Sequence, residues 1–287
     1  MDQSIKISVV VTLYKDLEAL DAVLEGLKAQ TYKNFEVIIA EDDNANETKE
    51  YIQKITNLSV KHISHLDVGR TKTVIQNKAI CHTTGDYLVF LDGDTIPYPK
   101  YLEGTMYLAN PKVVLAGRRF NLNAKDSQVI RKNPQSAVTM QKHFFTSMLS
   151  YMFDKESRFE QGISINPAGF IFENFINLEK RNSSILGCNW SCFKEDFVAI
   201  NGFDESLGLS CLGDDTDLDW RFKASGCQLV SSKNVANVFH LYHAHSTKAF
   251  EGYNPQKDYD RYLENQKENI FYTKVGLDQH CDSSNPL

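Results

Sequence analysis

Two carboxylates one residue apart, Asp92 and Asp94, end a short apolar run in the sequence YLVFLDGDT. An apolar run of this length, bounded by turn residues, is typical of a buried strand in a parallel sheet, and such sheets bind ligands at the carboxyl ends of their strands. Gly93 lets the backbone bend between the two acids. Hard oxygen ligands on a turn suit Mg²⁺ or Mn²⁺, ions that also hold substrate phosphates. The alternative for this tripeptide alone is a solvated Asp-Gly-Asp turn.

A second acidic cluster lies in LGDDTDLDWRF, where Asp214 and Asp215 follow Gly213 at the predicted start of a helix. Asp217 and Asp219 continue into its first turns, and we expect one of these acids to cap the helix. Crowded carboxylates raise one another's pKa, which allows a carboxylate to act as a general base near neutral pH. The alternative for a helix start rich in aspartate is stabilisation of the helix dipole alone.

Three histidines, His240, His243 and His245, follow a short strand-like run in VFHLYHAHS. Imidazole is a good ligand for Mn²⁺, so a histidine from this distant segment would complete a site that two aspartates leave open. A single histidine is more often a structural residue. Three within six positions favour the presence of at least one ligand.

The elements that must position these groups alternate strand and helix over the first hundred residues. The apolar runs IKISVVVTLY and FEVIIAEDD predict strands, and DLEALDAVLEGLKAQ between them has helical spacing. Further along, NETKEYIQKI and RTKTVIQNKAICHTTG predict helices, and VKHISH predicts a short strand. This alternation predicts a parallel sheet with right-handed crossovers and helices on both faces.

Composition is that of an ordinary globular protein. A chain of 287 residues can bury a substantial core, and its formal charge of −6 gives no reason to expect nucleic-acid binding. The apolar runs are far shorter than the ~18 residues needed to cross a bilayer, and MDQSIK has no secretory h-region, which predicts a cytoplasmic protein. The six cysteines form no CxxC pair and are expected to be reduced, with Cys188 and Cys192 as small buried hydrophobes.

Regularity falls beyond residue 110, where we place a soft boundary. Residues 118–182 combine basic residues with a cluster of large apolar side chains. On helical spacing, one face of this segment consists of Phe144, Met148, Tyr151 and Met152. Such a face is usually core, and the alternative is an acceptor platform or a membrane-surface contact beside anionic lipid. Near the end of the chain, YDRYLENQKENIFYTKVG predicts an amphipathic helix.

Taken together, these segments resemble the inverting GT-A glycosyltransferases, in particular family 2 and the related galactosyl- and N-acetylhexosaminyltransferases of bacterial polysaccharide synthesis. The resemblance covers most of residues 5–248 and rests on several ordered motifs. These are VVVTLYKDLEAL with LKAQTYKNFEVIIAEDD, QNKAI before GDYLVFLDGD, GCNWSCFKEDFVAINGFDE, LGDDTDLDWRF and HLYHAH. The resemblance implies an α/β fold of the GT-A type, in which a Rossmann-like nucleotide-binding half with a mixed central sheet is fused to an acceptor-binding half.

On this basis residues 1–110 form the nucleotide-sugar-binding half, residues 111–250 the acceptor-binding and catalytic half, and residues 251–287 a C-terminal helix and tail. The resemblance implies that Asp94 coordinates a Mn²⁺ or Mg²⁺ ion that bridges the donor diphosphate, and that Asp92 also ligates the metal or reaches the ribose or a metal-bound water. His243 and His245 are the further metal ligands expected, and the choice among His240, His243 and His245 stays open.

The resemblance assigns the catalytic base to Asp215. This carboxylate takes the proton of the acceptor hydroxyl, so that the oxygen attacks the anomeric carbon opposite the diphosphate and inverts its configuration. Asp214 orients the acceptor hydroxyls.

The same resemblance places the nucleotide pocket at the N-terminal strand ends. Thr12 and Tyr14 line it, and either Asp42 or Asp43 accepts a hydrogen bond from the uracil N3–H. The family usually has Gly-Ser after two acids, whereas this chain has Asn44 after three. Both aspartates therefore stay open as the contact to the base.

A second departure concerns positive charge in this pocket. The family often has an arginine before the asparagine of the next helix, but Gln76 precedes Asn77 here. We therefore expect either Arg70 or Lys72 to supply the cation. Trp190 either stacks on a sugar face or packs in the core.

The implied function is metal-dependent, inverting transfer of a hexose or N-acetylhexosamine from a UDP-sugar to a hydroxyl of an oligosaccharide or lipid-linked glycan acceptor. Its setting would be surface polysaccharide or lipid-linked oligosaccharide synthesis, in the cytoplasm or at the inner face of the plasma membrane. A sugar-nucleotide nucleotidyltransferase is an alternative, but it needs a Gly-rich basic loop that TLYKDLEAL lacks. A glycoside hydrolase would not use UDP. A non-catalytic scaffold of this fold is disfavoured by the intact Asp94 and Asp215.

Overall fold

The structure, a computed structural model, describes residues 4–69, 71–154, 156–176, 178–181, 183–207, 212–244 and 255–281. Within these ranges it describes the backbone but not the side chains of Glu179, Asp214 and Pro255. None of the helices in these ranges is both long enough and apolar enough to span a bilayer.

The first half of the chain alternates strand and helix, as predicted. The strands are β1 (Ile7–Leu13), β2 (Phe35–Glu41), β3 (Val60–Ser64) and β4 (Tyr87–Asp92). The helices are α1 (Leu17–Lys28), α2 (Asn46–Gln53) and α3 (Lys72–Ile80). The four strands are parallel, in the order β3-β2-β1-β4.

The second half adds shorter strands. They are β5 (Thr95–Pro97), β6 (Val113–Ala116), β7 (Phe120–Asn121), β8 (Asn189–Phe193), β9 (Gln228–Ser231) and β10 (Val238–His240). Because β8 lies antiparallel between β4 and β6, the seven-stranded central sheet β3-β2-β1-β4-β8-β6-β9 is mixed. A second sheet has the order β5-β10-β7. The mixed sheet agrees with the resemblance, and the purely parallel sheet suggested by alternation extends only as far as β4.

Helices of the second half are also short. They are α4 (Tyr101–Leu108), α5 (Ala124–Lys132), α6 (Gln135–Lys142), α7 (Phe144–Ser147), α8 (Phe170–Phe175), α9 (Lys194–Val198), α10 (Asp217–Ala224) and α11 (Pro255–Lys267). The predicted C-terminal helix is α11. Single turns of 3₁₀ helix or slightly more occur at Leu149–Phe153, Phe159–Gln161, Leu178–Lys180, Glu205–Leu207 and Leu277–Gln279, and a π-helical turn occurs at Leu212–Thr216.

Apolar side chains cover both faces of the central sheet. Alternation along β1 places Val9 and Val11 in one core cluster with residues of α1, and Val10 in another with Ile75 of α3. All three valines are fully buried. Helices therefore lie on both faces, as the strand–helix alternation predicted.

The cysteines differ from expectation at one pair. Cys81, just after α3, forms a disulfide with Cys281, although 200 residues separate them in sequence. The expectation of reduced thiols is therefore wrong for this pair. Leu277 N donates to Asn201 O at 2.9 Å, which helps to return the end of the chain to α3. Cys188 and Cys192 are free and buried, as predicted.

Glu36 fixes the start of the three strands β1, β2 and β4, whose far ends carry candidate site residues. Its Oε1 accepts hydrogen bonds from Ser8 Oγ at 2.8 Å and from Thr84 N at 2.6 Å, which joins β2 to β1 and to the turn before β4. Burial alone would raise the pKa of Glu36, but the hydrogen bonds from Thr84 and Ser8, together with Lys61, hold it at about 2.

Because the pKa of Glu36 lies below its ordinary value, the charged form stabilises the fold above about pH 4.5, and this stability is lost as the pH falls toward 2. We expect Glu36→Gln to lower the free energy of unfolding by about 3 kcal/mol near neutral pH, a difference that shrinks below pH 4. Urea denaturation of both proteins across this pH range measures it. Glu18→Gln, on the exposed side of α1, serves as the control, and an equal loss at pH 7 and pH 2 would contradict the account.

Candidate active site

The carboxyl ends of β1, β2 and β4 bring the predicted polar residues to one edge of the sheet. In the register of the parallel pair, Thr12 of β1 lies opposite Asp92 of β4. Two hydrogen bonds extend the alignment beyond the strands, from Gly93 N to Thr12 O and from Asp42 N to Leu13 O, each at 2.8 Å. A Cβ atom at position 93 would lie 2.9 Å from Thr12 O, so only glycine fits between the two aspartates. The strand-end position predicted for these acids is confirmed.

Asp94, His240 and His243 form a cluster of three possible metal ligands. Strand β10 pairs antiparallel with β5 so that His240 lies opposite Thr95, and Leu241 N donates to Asp94 O at 3.0 Å. Asp94 Oδ2 lies 3.5 Å from Nε2 of each histidine, and one ligand atom from each of the three residues lies within 4.8 Å of the others. Two ligands of one small cation, each about 2.1 Å from it, lie about 3 to 3.5 Å apart. One carboxylate with two imidazoles suits Mn²⁺.

The structure therefore places two of the four predicted metal ligands, Asp94 and His243, in this cluster and adds His240. Asp92 instead faces α3, where Lys72 Nζ lies 2.8 Å from Asp92 Oδ1. Lys72 was one of the two residues expected to bring positive charge to the site; the other, Arg70, and the fourth predicted ligand, His245, lie outside the described residues. Burial raises the pKa of Asp94, and electrostatic interactions with His243, Arg119 and Lys72 oppose this shift.

Arg119 also belongs to the site, although no role there was predicted for it. Its Nη1 lies 3.2 Å from His240 Nε2 and 3.5 Å from Cys188 Sγ. Because arginine only donates, His240 Nε2 accepts and the ring carries its proton on Nδ1. Burial and the charge of Arg119 lower the pKa of His240 to about 3, so the ring is neutral. The His240 Nε2 atom, which lies 3.5 Å from Asp94 Oδ2, therefore already accepts a hydrogen bond from Arg119. The only feature of the sequence that could have indicated Arg119 as a site residue is its pairing with Arg118 between β6 and β7.

The two aspartates after β2 have different surroundings. Asp42 is 5% exposed and holds the segment 65–71, accepting from Thr71 N at 3.0 Å, Thr71 Oγ1 at 2.6 Å and His65 Nε2 at 2.7 Å. The side chain of Asp43 is more exposed and lies 3.7 Å from Lys15 Nζ. The carboxylate of Asp42 thus holds the loop in place, while that of Asp43 is more exposed and lies beside Lys15.

Thr12 lies near the carboxyl end of β1, and Tyr14 directly follows that strand. Thr12 Oγ1 accepts from Gln76 Nε2 at 2.9 Å, so the glutamine in place of the family's arginine anchors the strand end. Tyr14 is 54% exposed, and its hydroxyl lies 3.2 Å from Asp67 Oδ2. An exposed ring at this edge is available to stack on or line a bound group.

Asp215 lies in the π-helical turn Leu212–Thr216, which runs directly into α10. Its Oδ1 accepts from the backbone N and the hydroxyl of Thr216. The residue before α10, Thr216, has helical backbone angles and makes no capping hydrogen bond, so the residue at the cap position is not one of the acids. The π-helical turn runs directly into α10, so the residues before α10 are already helical and no N-cap conformation occurs at Thr216. A Cβ at Gly213 would lie 3.5 Å from Thr73 Cγ2, which places the turn beside the start of α3.

Asp217 and Arg221 anchor α10 from inside the protein. Both side chains are fully buried and lie 3.1 Å apart, and Arg221 also donates to Gly202 O and Phe271 O. Burial raises the pKa of Asp217 to about 6. A fully buried carboxylate cannot contact an acceptor, so Asp217 has a structural role rather than a role in proton transfer. Burial likewise raises the pKa of Asp219.

Trp190 is a core residue. It is 1% exposed, and its ring stacks on Phe90 with centroids 4.1 Å apart and planes 6° from parallel. Phe197 and Phe203 complete the surrounding aromatic cluster. The prediction that Trp190 stacks on a sugar is therefore wrong, and the packing alternative is correct.

Comparison with family models gives two consecutive matches. The model described as "Glycosyl transferase family 2" matches residues 8–172, more than half of the chain, and the one described as "N-terminal domain of galactosyltransferase" matches residues 169–244. The first match contains Asp94, and the second contains Asp215, His240 and His243. Every residue of the candidate site described above falls within these two matches.

Among curated relatives, the chain is 23% identical over 214 residues to WfgD of Escherichia coli, named as a UDP-Glc:alpha-D-GlcNAc-diphosphoundecaprenol beta-1,3-glucosyltransferase. That alignment covers 69% of this chain and 81% of WfgD. The matches to three other relatives cover 38%, 33% and 40% of those relatives' lengths.

Solved structures share the fold. TarS 1-349 of S. aureus in complex with UDP-GlcNAc superimposes with a TM-score of 0.58 at 15% identity, over 96% of this chain and 69% of that one. GalNAc-T7 with UDP, GalNAc and Mn²⁺ gives a TM-score of 0.62 at 13% identity, over 93% of this chain and 50% of that one. The fold is thus the GT-A fold that the sequence motifs implied.

Two substitutions with opposite expected effects on Mn²⁺ affinity test the cluster of Asp94, His240 and His243. We expect Asp94→Asn to weaken Mn²⁺ binding by about tenfold or more, because it removes the charged ligand. Arg119→Met should strengthen binding severalfold, because it removes a cation that holds His240 Nε2. Titration of free Mn²⁺ by electron paramagnetic resonance measures both, with Asp43→Asn as the control. Unchanged or weaker binding by Arg119→Met would contradict the assignment of its contact.

Proposed function

The chain belongs to glycosyl transferase family 2, and we propose that it transfers a hexose or N-acetylhexosamine from a UDP-sugar to a hydroxyl of a glycan acceptor, with inversion at the anomeric carbon. The observation that carries this proposal is the cluster of Asp94, His240 and His243 beside the pair of Asp92 and Lys72. These groups lie at the carboxyl ends of the strands, where open α/β sheets bind ligands. Their donor set suits Mn²⁺, with Mg²⁺ as the alternative ion.

The nucleotide is proposed to lie across the ends of β1 and β2. Since the acceptor atoms of Asp42 are engaged by the segment 65–71, Asp43 is the better candidate to accept from the uracil N3–H. Thr12 and Tyr14 line the same pocket. WfgD, whose name specifies UDP-Glc, supports a uridine nucleotide. The fold is compatible with one, since structures of TarS and GalNAc-T7 hold UDP-GlcNAc and UDP.

Positive charge from the chain is proposed to grip the donor diphosphate. Lys72 and Arg119 flank the acids, and each now pairs with a group that an ion or diphosphate would engage. Arg119 must give up His240 Nε2 before that atom can ligate a metal, and its guanidinium can then donate to phosphate oxygens. A bound divalent ion would neutralise charge on the departing diphosphate.

Asp215 is proposed as the general base. Its turn lies beside the start of α3 and hence beside Lys72, while the neighbouring Asp217 is sealed in the core with Arg221. The carboxylate takes the acceptor proton as the acceptor oxygen attacks the anomeric carbon from the side opposite the diphosphate. The bond from the acceptor oxygen to the anomeric carbon forms while the bond from that carbon to the diphosphate breaks, so a single base suffices. Asp214, on the same turn, is proposed to orient the acceptor hydroxyls.

The acceptor is proposed to be a growing surface polysaccharide or a lipid-linked oligosaccharide at the cytoplasmic face of the membrane. WfgD, whose name specifies a diphosphoundecaprenol-linked acceptor, supports this class. The site joins both parts of the chain, because Asp94 lies in the proposed nucleotide half, residues 1–110, and the histidines lie in the proposed acceptor half, residues 111–250. Residues 251–287 follow as a C-terminal helix and tail.

Calorimetric titration with nucleotides tests the donor assignment. We expect UDP to bind in the presence of Mn²⁺, and Asp94→Asn to weaken that binding by about tenfold or more. GDP and UTP should bind more weakly than UDP, because the pocket is proposed to recognise uracil and a diphosphate. Preference for UTP would favour a nucleotidyltransferase. Failure of UDP to bind under any metal condition would overturn the donor assignment.

Asp215→Asn tests the base. Transfer to acceptor should fall by about 10²- to 10⁴-fold, the usual contribution of a general base, while UDP affinity with Mn²⁺ stays unchanged. Release of UDP in the presence of lipid-linked acceptor measures the rate, and NMR of the product gives its anomeric configuration. Asp260→Asn on exposed α11 is the control. Full activity of Asp215→Asn, or retention of configuration, would contradict the mechanism.

A further inference from the structure

The three residues of the metal cluster differ in how the fold holds them. Asp94 directly precedes β5 and His240 ends β10, and these two strands pair. His243 lies three residues beyond the end of β10, and its side chain is 48% exposed, against 11% for that of His240. The place of His243 beside Asp94 therefore depends on the short segment 241–243 rather than on a strand.

Hydrogen bonds fix the backbone between β10 and His243. Leu241 N donates to Asp94 O at 3.0 Å, and Tyr242 N donates to Ser127 Oγ at 2.8 Å. A serine hydroxyl in a helix commonly bonds to the preceding turn of its own helix. The Ser127 oxygen instead accepts from an amide 115 residues away in sequence, next to His243. Ser127, which is 2% exposed, thus joins α5 to the segment that carries His243.

Helix α5 is itself held at both ends. At its start, the side chain of Asn123 caps the helix. Near its end, Arg131 donates from Nη1 and Nη2 to the two carboxylate oxygens of Asp16, at 2.6 and 2.8 Å. Ile130 is fully buried in the core cluster that also contains residues of α1. The helix therefore offers Ser127 to the Tyr242 amide from a fixed position.

The ion pair of Arg131 with Asp16 also lies within electrostatic reach of the metal cluster. Burial alone would raise the pKa of Asp16, but Arg131 and the Ala19 amide lower it, and His243 acts in the same direction. The hydrogen bond to Asp16 raises the pKa of Arg131, and Asp94 adds to this effect. Helix α5 thus borders the cluster through Arg131 as well as through Ser127.

We propose that Ser127 is a positioning residue, whose hydroxyl holds the Tyr242 amide and thereby keeps the His243 ring beside Asp94. This inference rests on the proposed function, since it takes His243 as a ligand of the divalent ion. A partner that hydrogen-bonds a metal ligand directly contributes about 10- to 100-fold to metal affinity. Ser127 acts through the neighbouring residue, so we expect a smaller contribution, about three- to tenfold.

A double-mutant cycle on Mn²⁺ affinity tests the proposal. The variants are Ser127→Ala, His243→Ala and the double substitution, and titration of free Mn²⁺ by electron paramagnetic resonance gives their affinities. We expect His243→Ala to weaken binding by about tenfold or more, and Ser127→Ala by about three- to tenfold. In the His243→Ala background, Ser127→Ala should cause no further loss, because its effect passes through that ligand.

The matched control is Ser231→Ala in β9. Ser231 is fully buried, and its Oγ also accepts from a backbone amide, that of Lys233 at 3.4 Å. This variant should bind Mn²⁺ as the unaltered protein does. Alanine favours the helical conformation, so Ser127→Ala should still form α5, and circular dichroism checks that each variant is folded at the temperature of the titration.

The outcomes separate this inference from the proposed function. Equal losses from Ser127→Ala with and without His243 would show a general effect on the fold and overturn the positioning role. Full affinity of Ser127→Ala, together with weak binding by His243→Ala, would overturn that role and leave the metal site standing. Full affinity of His243→Ala would remove His243 from the metal site and overturn both.

Discussion

The pairing of β5 with β10 is the constraint on which the candidate site depends. It sets His240 opposite Thr95 and allows Leu241 N to donate to Asp94 O, so two segments far apart in sequence meet at one carboxylate. A slip of one residue would turn His240 to the other face of the small sheet. Burial of Ile96 and Phe239, both fully inaccessible, opposes such a slip, because it would expose apolar side chains on that face.

This arrangement gives the site a balanced charge before any ligand arrives. Asp92 is paired with Lys72, and Asp94 lies in a group that includes Arg119 and two histidines. A donor diphosphate is negative and a divalent ion is positive, so binding both exchanges one set of ion pairs for another rather than burying an isolated charge. On the proposed function, Lys72 would pass from Asp92, and Arg119 from His240, to the phosphates.

The strand-end position of Asp92 and Asp94 could be predicted from sequence, because a buried strand that stops at an acid has few other places in an α/β fold. The position of His240 beside Asp94 could not, since it follows from the register of a three-residue strand. The same limit applies to Asp42 and Asp43, which differ only through hydrogen bonds to the segment 65–71. The motifs identified the fold because each one is a local pattern in the sequence. The surroundings of the histidines, of Asp42 and of Asp43 depend instead on contacts between distant segments.

Long-range contacts also explain the remaining differences. The disulfide between Cys81 and Cys281 joins positions 200 residues apart, and no spacing rule relates them. The burial of Trp190 depends on ring contacts with residues from distant segments, Phe90, Phe197, Phe203 and Phe222, while a tryptophan in a motif is equally compatible with a sugar contact. Local pattern decides which elements form, and packing decides which side chains remain at the surface.

A crystal grown with Mn²⁺ and UDP, measured at a wavelength where manganese scatters anomalously, tests the central claim most directly. The account predicts one anomalous peak at the site, about 2.1 to 2.3 Å from Asp94 Oδ2 and from Nε2 of His240 and His243, with Arg119 turned away from His240 toward the diphosphate. Ordered UDP without manganese at these three residues, or manganese bound elsewhere while Arg119 keeps its contact with His240, would contradict it.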